Sequence, residues 1–263
     1  MKYTIVLFFF FCASIVFAQD GPLPTALPAD REIIPILIYH AIRPVRPTDT
    51  PFVLNYVCTP ETLEKELSFL KAAGYTSISF ADLVAHFKSD KPLPKSPIII
   101  SFDDSWEDQY TYGVPLLIKY GFKATFFIIA GAMGAPYYMT WDEVKMLSSM
   151  GMEIGGHTWS HPYLVQIRRL PVLDKELVYS KKVLEDQIGK PITAFAYPYG
   201  LYNDVLINLL KKAGYTSART TYPGIAHSEK DLFNLTGLIR TENMAYFTND
   251  LNEYFSEYED IAK

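Results

Sequence analysis

The sequence predicts a single α/β domain whose parallel strands close into a distorted, seven-stranded (β/α) barrel. Two observations predict the parallel sheet. From residue 33 onward, apolar runs of strand length alternate with amphipathic stretches of helix length, a pattern that calls for right-handed crossovers. At least six such units of similar size follow one another without a Pro/Gly/Ser-rich linker, so one domain is expected. A third observation favours closure into a barrel: the ionisable residues of interest sit directly after apolar strands, at the ends where barrels place their sites. With 263 residues, 49% of them hydrophobic, the chain can bury a substantial core.

The elements follow in order. Residues 33–39 are a β-branched run of strand length that ends at His40, and their continuous hydrophobicity marks a strand buried on both faces. Thr59 caps a helix that begins at Pro60, carries Leu63, Leu67 and Leu70 on one face, and stops at Gly74. A strand over 75–79 and a helix over 80–88 come next. The pattern repeats with a strand over 97–102, a helix over 107–120 closed by Gly121, and a strand over 124–129. Thr140 caps a helix over 141–150. Strands over 152–154, 193–197, 215–218 and 235–240 then alternate with helices over 172–188 and 203–213, and a last helix begins near Ala245.

The N-terminus places Lys2 before an uncharged run over 3–17 and ends in Val16-Phe17-Ala18, the pattern of a secretory signal cleaved after Ala18. That reading makes 1–18 a signal peptide, 19–32 a flexible lead-in and 33–263 the α/β domain. The protein is expected to be exported, to the periplasm, the cell envelope or the medium. No later segment is apolar enough to span a membrane. Signal removal leaves Cys58 as the remaining cysteine, so no internal disulfide is expected. The net charge of −5 and the lack of a Lys/Arg cluster argue against nucleic acid as a partner.

Three segments put reactive side chains after strands: Ser101-Phe102-Asp103-Asp104, His157-Thr158-Trp159-Ser160-His161-Pro162 and Phe195-Ala196-Tyr197-Pro198-Tyr199-Gly200. His157 and His161 are four apart, so a helical turn would set their imidazoles on one face about 5–6 Å apart, close enough to share a metal. One Asp would complete a three-ligand site with positions left for water and substrate. The bland alternative is a pair of surface histidines, and Gly155-Gly156 just before them weighs against it. For the adjacent aspartates, the bland alternative is that Asp104 or Ser105 caps the following helix. The functional reading gives one carboxylate to the metal and leaves the other to take a proton from the attacking water.

These motifs resemble the polysaccharide deacetylases of carbohydrate esterase family 4, which share the homology domain of nodulation-type chitooligosaccharide deacetylases. The family's TFDDG reads SFDDS here, and its H-S/T-x-x-H-P reads HTWSHP. The resemblance runs from about residue 34 to 240 and implies a deacetylase barrel. It makes Asp103 the general base, with Asp104, His157 and His161 the ligands of a divalent metal, zinc first, with cobalt, nickel or iron as alternatives. The third motif, RxPY, reads AYPYG, so the arginine that commonly contacts the base is replaced by Ala196 and the base must be oriented otherwise. Tyr199 still matches, and its backbone N–H would be the oxyanion donor.

The family's late Leu-x-His, source of the general acid, is missing, because no histidine follows His227. Pro35 to His40 instead resembles the Tyr-His motif of the poly-β-1,6-N-acetylglucosamine deacetylases, which makes His40 the expected acid, with His227 the weaker rival. His86 reads as a surface residue on an amphipathic helix. Among aromatics that could stack on sugar rings (Trp106, Trp159, Tyr137, Tyr138 and Tyr197), Tyr197 and Trp159 are taken as substrate-binding. The resemblance implies removal of N-acetyl groups from poly-β-1,6-N-acetylglucosamine, peptidoglycan or a chitin-like polymer. An acetyl-xylan esterase and an inactive glycan-binding domain are the rivals. An iron oxygenase could use the same ligands, but the alternating helices do not suit its usual all-β host.

Overall fold

A computed structural model describes residues 30–242. The expected signal segment, most of the lead-in and the helix expected from about Ala245 lie outside the described residues. Seven parallel strands form one continuous path: β1 Ile36–Tyr39, β2 Pro97–Phe102, β3 Thr125–Ile128, β4 Glu153–Gly156, β5 Ala194–Ala196, β6 Ser217–Arg219 and β7 Leu238–Ile239. Their order is β6-β5-β4-β3-β2-β1-β7, and a short strand, Thr76–Ser77, pairs with the start of β2. The two edges meet: Thr220 N–H donates to Leu235 O at 2.8 Å and Leu235 N–H to Ala218 O at 3.0 Å, just before the chain enters β7. The sheet therefore curls into the expected seven-stranded barrel.

Most strand positions are apolar on both faces because both faces are covered. Ile36, Ile38, Ile99, Phe127, Ala194 and Ala196 fill the barrel interior, and Phe80 and Leu83 join them from helix α2 (Phe80–Ser89), which closes the N-terminal end. Alternate residues such as Leu37, Ile98, Ile100 and Phe126 face outward under helix α1 (Pro60–Ala72) and the later helices. Thr59 accepts the Thr62 N–H at 3.2 Å, as its position before Pro60 predicts, and Thr140 forms a capping box with Glu143.

Several boundaries differ from expectation for local reasons. The run over 33–39 is interrupted at Pro35, which has no N–H to donate. Glu32–Ile33 instead pairs antiparallel with Ala226–His227, and β1 starts at Ile36. The helices expected over 107–120 and 172–188 each contain a wider π turn, Gln109–Gly113 and Lys175–Tyr179. Each π turn buries one polar side chain, Gln109 or Glu176, toward the strand C-terminal ends. Among the described residues, no helix is long and apolar enough to cross a membrane.

His227 is buried on the strand that pairs with Glu32–Ile33, and it does not line the large cavity at the opposite end. Burial pushes its imidazole down to about 4. An unfolded histidine titrates near 6.5, so this contribution to stability is intact above that pH and is lost as pH falls toward 4. Between pH 7 and pH 4, urea unfolding of the wild type should lose on the order of 2–3 kcal/mol relative to His227→Leu. Parallel pH profiles for the two proteins would refute this.

Candidate active site

Each barrel strand that carries a singled-out motif delivers it to the same rim. His40 follows β1, Asp103 and Asp104 follow β2, His157 follows β4, and Tyr197 to Tyr199 follow β5. All of these except Pro198 line one cavity of about 1050 Å³, together with His161. That volume is at the upper end of the roughly 300–1,000 Å³ range of small-ligand sites, large enough for more than a single sugar.

Asp104 Oδ1 lies 3.3 Å from His157 Nε2 and 3.3 Å from His161 Nε2. One ligand atom from each of the three falls within 4.8 Å of the others. His157 Nδ1–H donates to Ala196 O at 2.8 Å, which fixes the tautomer and leaves Nε2 free to ligate. The donor set therefore fits a divalent cation such as zinc. The electrostatics agree. Burial raises the Asp104 carboxyl, but its hydrogen bond with His157 and the nearby histidines outweigh this and hold it well below the usual range. Burial and the neighbouring His157 push His161 down to about 4. Burial also pushes His157 down, but the bond to Asp104 and both aspartate charges raise it overall, a proton that a bound cation would displace.

The two histidines do not converge through a helix. Residues 157–161 form an irregular turn in which Thr158 (φ 68°) and His161 (φ 57°) are left-handed, yet the rings are 4.7 Å apart. Glu176, buried in the second π turn, holds this turn: its carboxylate accepts the Trp159 and Ser160 N–H groups at 2.9 and 2.8 Å, and the Ser160 hydroxyl at 2.8 Å. Neither Asp104 nor Ser105 caps a helix. Both are left-handed, and Ser105 Oγ accepts the Ile129 N–H at 2.8 Å.

Asp103 is buried and hydrogen-bonded through Oδ1 to Arg219 of β6, which is fully buried. Arg219 is the register partner of Ala196, so the two residues stand side by side on adjacent strands. The guanidinium missing from position 196 is thus supplied from the next strand at the same level. Sequence reasoning missed Arg219 and Glu176. An arginine directly after the strand expected over 215–218, the place where the other strands carry their ionisable residues, was the available signal for the first; Glu176 gave none, since a helical glutamate ordinarily faces water. Oδ2 of Asp103 stays 3.9 Å from His40 Nε2. Burial lowers the His40 imidazole, against the opposing pull of Asp103.

The remaining expectations divide. Tyr199, left-handed at φ 59°, is exposed at the rim, its ring stacked on Tyr163 at 3.8 Å and 4.7 Å from the His161 ring. Tyr197 lines the cavity but is fully buried, with its hydroxyl donating to Phe233 O at 3.0 Å, so it packs the wall and offers no stacking face. Trp159 does not line the cavity; it packs against Gly131 and Tyr179. Trp106 and Tyr137 do line it, and Tyr138 stacks on Trp106 at 4.7 Å behind them. His86 lies elsewhere, 2.9 Å from Glu32.

A parallel (β/α) barrel with a two-His, one-Asp trio and a separate carboxylate–histidine pair at its C-terminal rim defines a class of barrel hydrolases. Comparison with known proteins narrows the class. The family model for polysaccharide deacetylases matches residues 90–218. A Bacillus subtilis protein described as a polysaccharide deacetylase is 28% identical over 204 residues, 77% of this chain and 69% of that protein. A poly-β-1,6-N-acetyl-D-glucosamine N-deacetylase of Staphylococcus aureus is 30% identical over 175 residues, 62% of this chain and 60% of that one. The structure of a Streptococcus pyogenes deacetylase in complex with acetate superposes with a TM-score of 0.75 at 30% identity, covering 81% of this chain and 94% of that one. The chain belongs to the polysaccharide deacetylase family, whose curated relatives include enzymes named N-deacetylases.

Arg219→Met would leave Asp103 buried without its counter-charge, and acetate release by the variant should fall about 100-fold. Moving the arginine to its register partner, in the double variant Arg219→Ala/Ala196→Arg, should recover most of that loss. Equal activity of Arg219→Met and wild type would remove Arg219 from the site.

Proposed function

We propose that this protein is an exported, metal-dependent hydrolase that removes N-acetyl groups from an N-acetylglucosamine polymer, with poly-β-1,6-N-acetylglucosamine as the first candidate and peptidoglycan or a chitin-like chain as alternatives. The single observation that carries the reading is the pair Asp103–His40, 3.9 Å apart and beside the Asp104–His157–His161 trio in one cavity. A catalytically silent sugar-binding domain has no use for such a pair. The name of the Staphylococcus aureus relative supports the amino-sugar polymer over acetyl-xylan. Export rests on the signal-like residues 1–18, and residues 33–263 are proposed as the catalytic domain.

Asp104, His157 and His161 would hold the cation, zinc by preference. A cation there supplies Lewis acidity, polarising the acetamide carbonyl and making the attacking water more acidic. Asp103, anchored through Oδ1, keeps Oδ2 available to take the proton of that water. The Tyr199 backbone N–H donates to the oxyanion that develops as the carbonyl becomes tetrahedral. His40, with Nε2 facing Asp103, protonates the departing nitrogen, leaving acetate and a free amine. Around these groups stand exposed aromatic faces: Tyr163 and Tyr199 beside His161, and Phe52 and Tyr56 beside His40. Flat aromatic faces on both sides of the reacting groups suit a sugar chain that continues in both directions.

Acetate release by the mature protein from β-1,6- and β-1,4-linked N-acetylglucosamine oligomers and from acetylated xylan, with zinc or cobalt added, tests this reading. Release from an amino-sugar oligomer is expected, abolished by chelator. Asp103→Asn should lower turnover at least 100-fold with metal still bound, whereas His161→Ala should lower metal affinity itself. Metal binding without acetate release from any substrate would favour the sugar-binding alternative.

A further inference from the structure

We infer that Gln109 is a positioning residue that sets the distance between the acid and the base by holding the backbone carbonyls of His40 and Asp103 on one amide nitrogen. The inference rests on the assignment of those two residues in the proposed function. Its basis is the way the sheet ends. β1 and β2 are paired as far as Tyr39 and Phe102, and Asp103 N–H donates to Tyr39 O at 2.9 Å as the last rung. Beyond it the chains part. His40 leads into Ala41–Ile42, which pairs with Val57–Cys58, while Asp103 leads into the left-handed Asp104 and Ser105. The His40 and Asp103 carbonyls thus lie beyond the ladder, where no strand partner holds them in place.

Gln109 takes both. Its Nε2 donates to His40 O at 2.9 Å and also to Asp103 O, and the side chain is fully buried. The opposite amide orientation would set an oxygen against two carbonyl oxygens, so this one is fixed by its partners. A primary amide suits the task because it is uncharged and carries two N–H donors on one atom. The residue before it acts in the same direction: Asp108 Oδ1 accepts the Ile42 N–H at 2.8 Å, so two successive residues tie the exit of β1 to the same turn.

The local helix geometry accounts for the placement. Gln109 opens the π turn Gln109–Gly113 in a stretch whose pattern predicts an unbroken α-helix. The wider turn shifts the register between the residues before it, which serve the rim, and helix α3 (Val114–Tyr120), which packs on the barrel wall. The other π turn, Lys175–Tyr179, does the same with Glu176 for the turn carrying His161. A polar side chain from a π turn therefore holds the backbone on each side of the cavity.

Gln109→Met keeps the length and apolar stem but has no donor, and Gln109→Glu keeps the shape but presents oxygens to the two carbonyls. In metal-loaded enzyme, both should lower kcat on an amino-sugar oligomer at least tenfold, Gln109→Glu the more, with KM and metal stoichiometry near wild type. A crystal structure of Gln109→Met should show the His40–Asp103 side-chain separation changed from 3.9 Å. A role confined to stability would instead lower the melting temperature while each folded, metal-loaded molecule kept the wild-type kcat, and that result overturns the inference. Wild-type enzyme that releases no acetate overturns the functional reading, and this inference with it. An active wild type matched by both variants overturns this inference alone.

Discussion

The arrangement of the rim depends on one buried ion pair, Asp103–Arg219. β2 and β6 are separated by three other strands in the sheet, so the pair reaches across the barrel interior. A lone carboxylate there would be too costly to bury, and so would a lone guanidinium. Together, with the guanidinium also 4.9 Å over the Phe127 ring, they are held in an interior otherwise filled by Ile, Ala and Phe side chains. The pair occupies Oδ1 and so leaves Oδ2 as the oxygen that faces His40. Behind the same rim, Tyr39 donates to Glu66 at 2.5 Å and Glu66 pairs with Arg240 at 2.8 Å, which ties β1 to α1 and to the end of β7.

Backbone strain is gathered where the side chains of the site converge. Among the described residues, seven non-glycine positions have positive φ, and five of them, Asp104, Ser105, Thr158, His161 and Tyr199, belong to the site motifs. Each such conformation is unfavourable for an L-residue with a Cβ and persists only where neighbours hold it. Here the holding groups can be named. The Ser105 hydroxyl accepts the Ile129 N–H, the Thr158 hydroxyl accepts the His161 N–H at 2.8 Å, and Glu176 accepts two further amides of the same turn. The strained turns aim side chains from three strands at one point, and the hydrogen bonds around them keep that aim.

Much of this was legible along the chain. Apolar runs ending in His40, Asp103 and Tyr197 showed both the strands and the end at which chemistry would gather, because parallel strands buried on both faces are largely apolar and barrels build their sites past the C-terminal edge. What local pattern could not show was any position whose role depends on a partner distant in sequence. Trp159 and Tyr197 look alike as candidate stacking rings until packing turns one away from the cavity and buries the other in its wall. The HxxxH spacing pointed to convergence of His157 and His161 but suggested a helix, where Glu176, far along the chain, stabilises a different turn.

By itself the sequence determined the fold class, the gathering of Asp103, Asp104, His157 and His161 at one rim and the loss of an arginine at Ala196, since these are matters of period, residue type and motif. Only the tertiary structure decided that Arg219 stands in that place, because register between β5 and β6 sets the two positions side by side though they are 23 residues apart. It likewise decided that His40, and not His227, is the neighbour of Asp103. A strand's two ends lie on opposite sides of a barrel, and no reading along the chain can tell which groups share a side until the strands are paired.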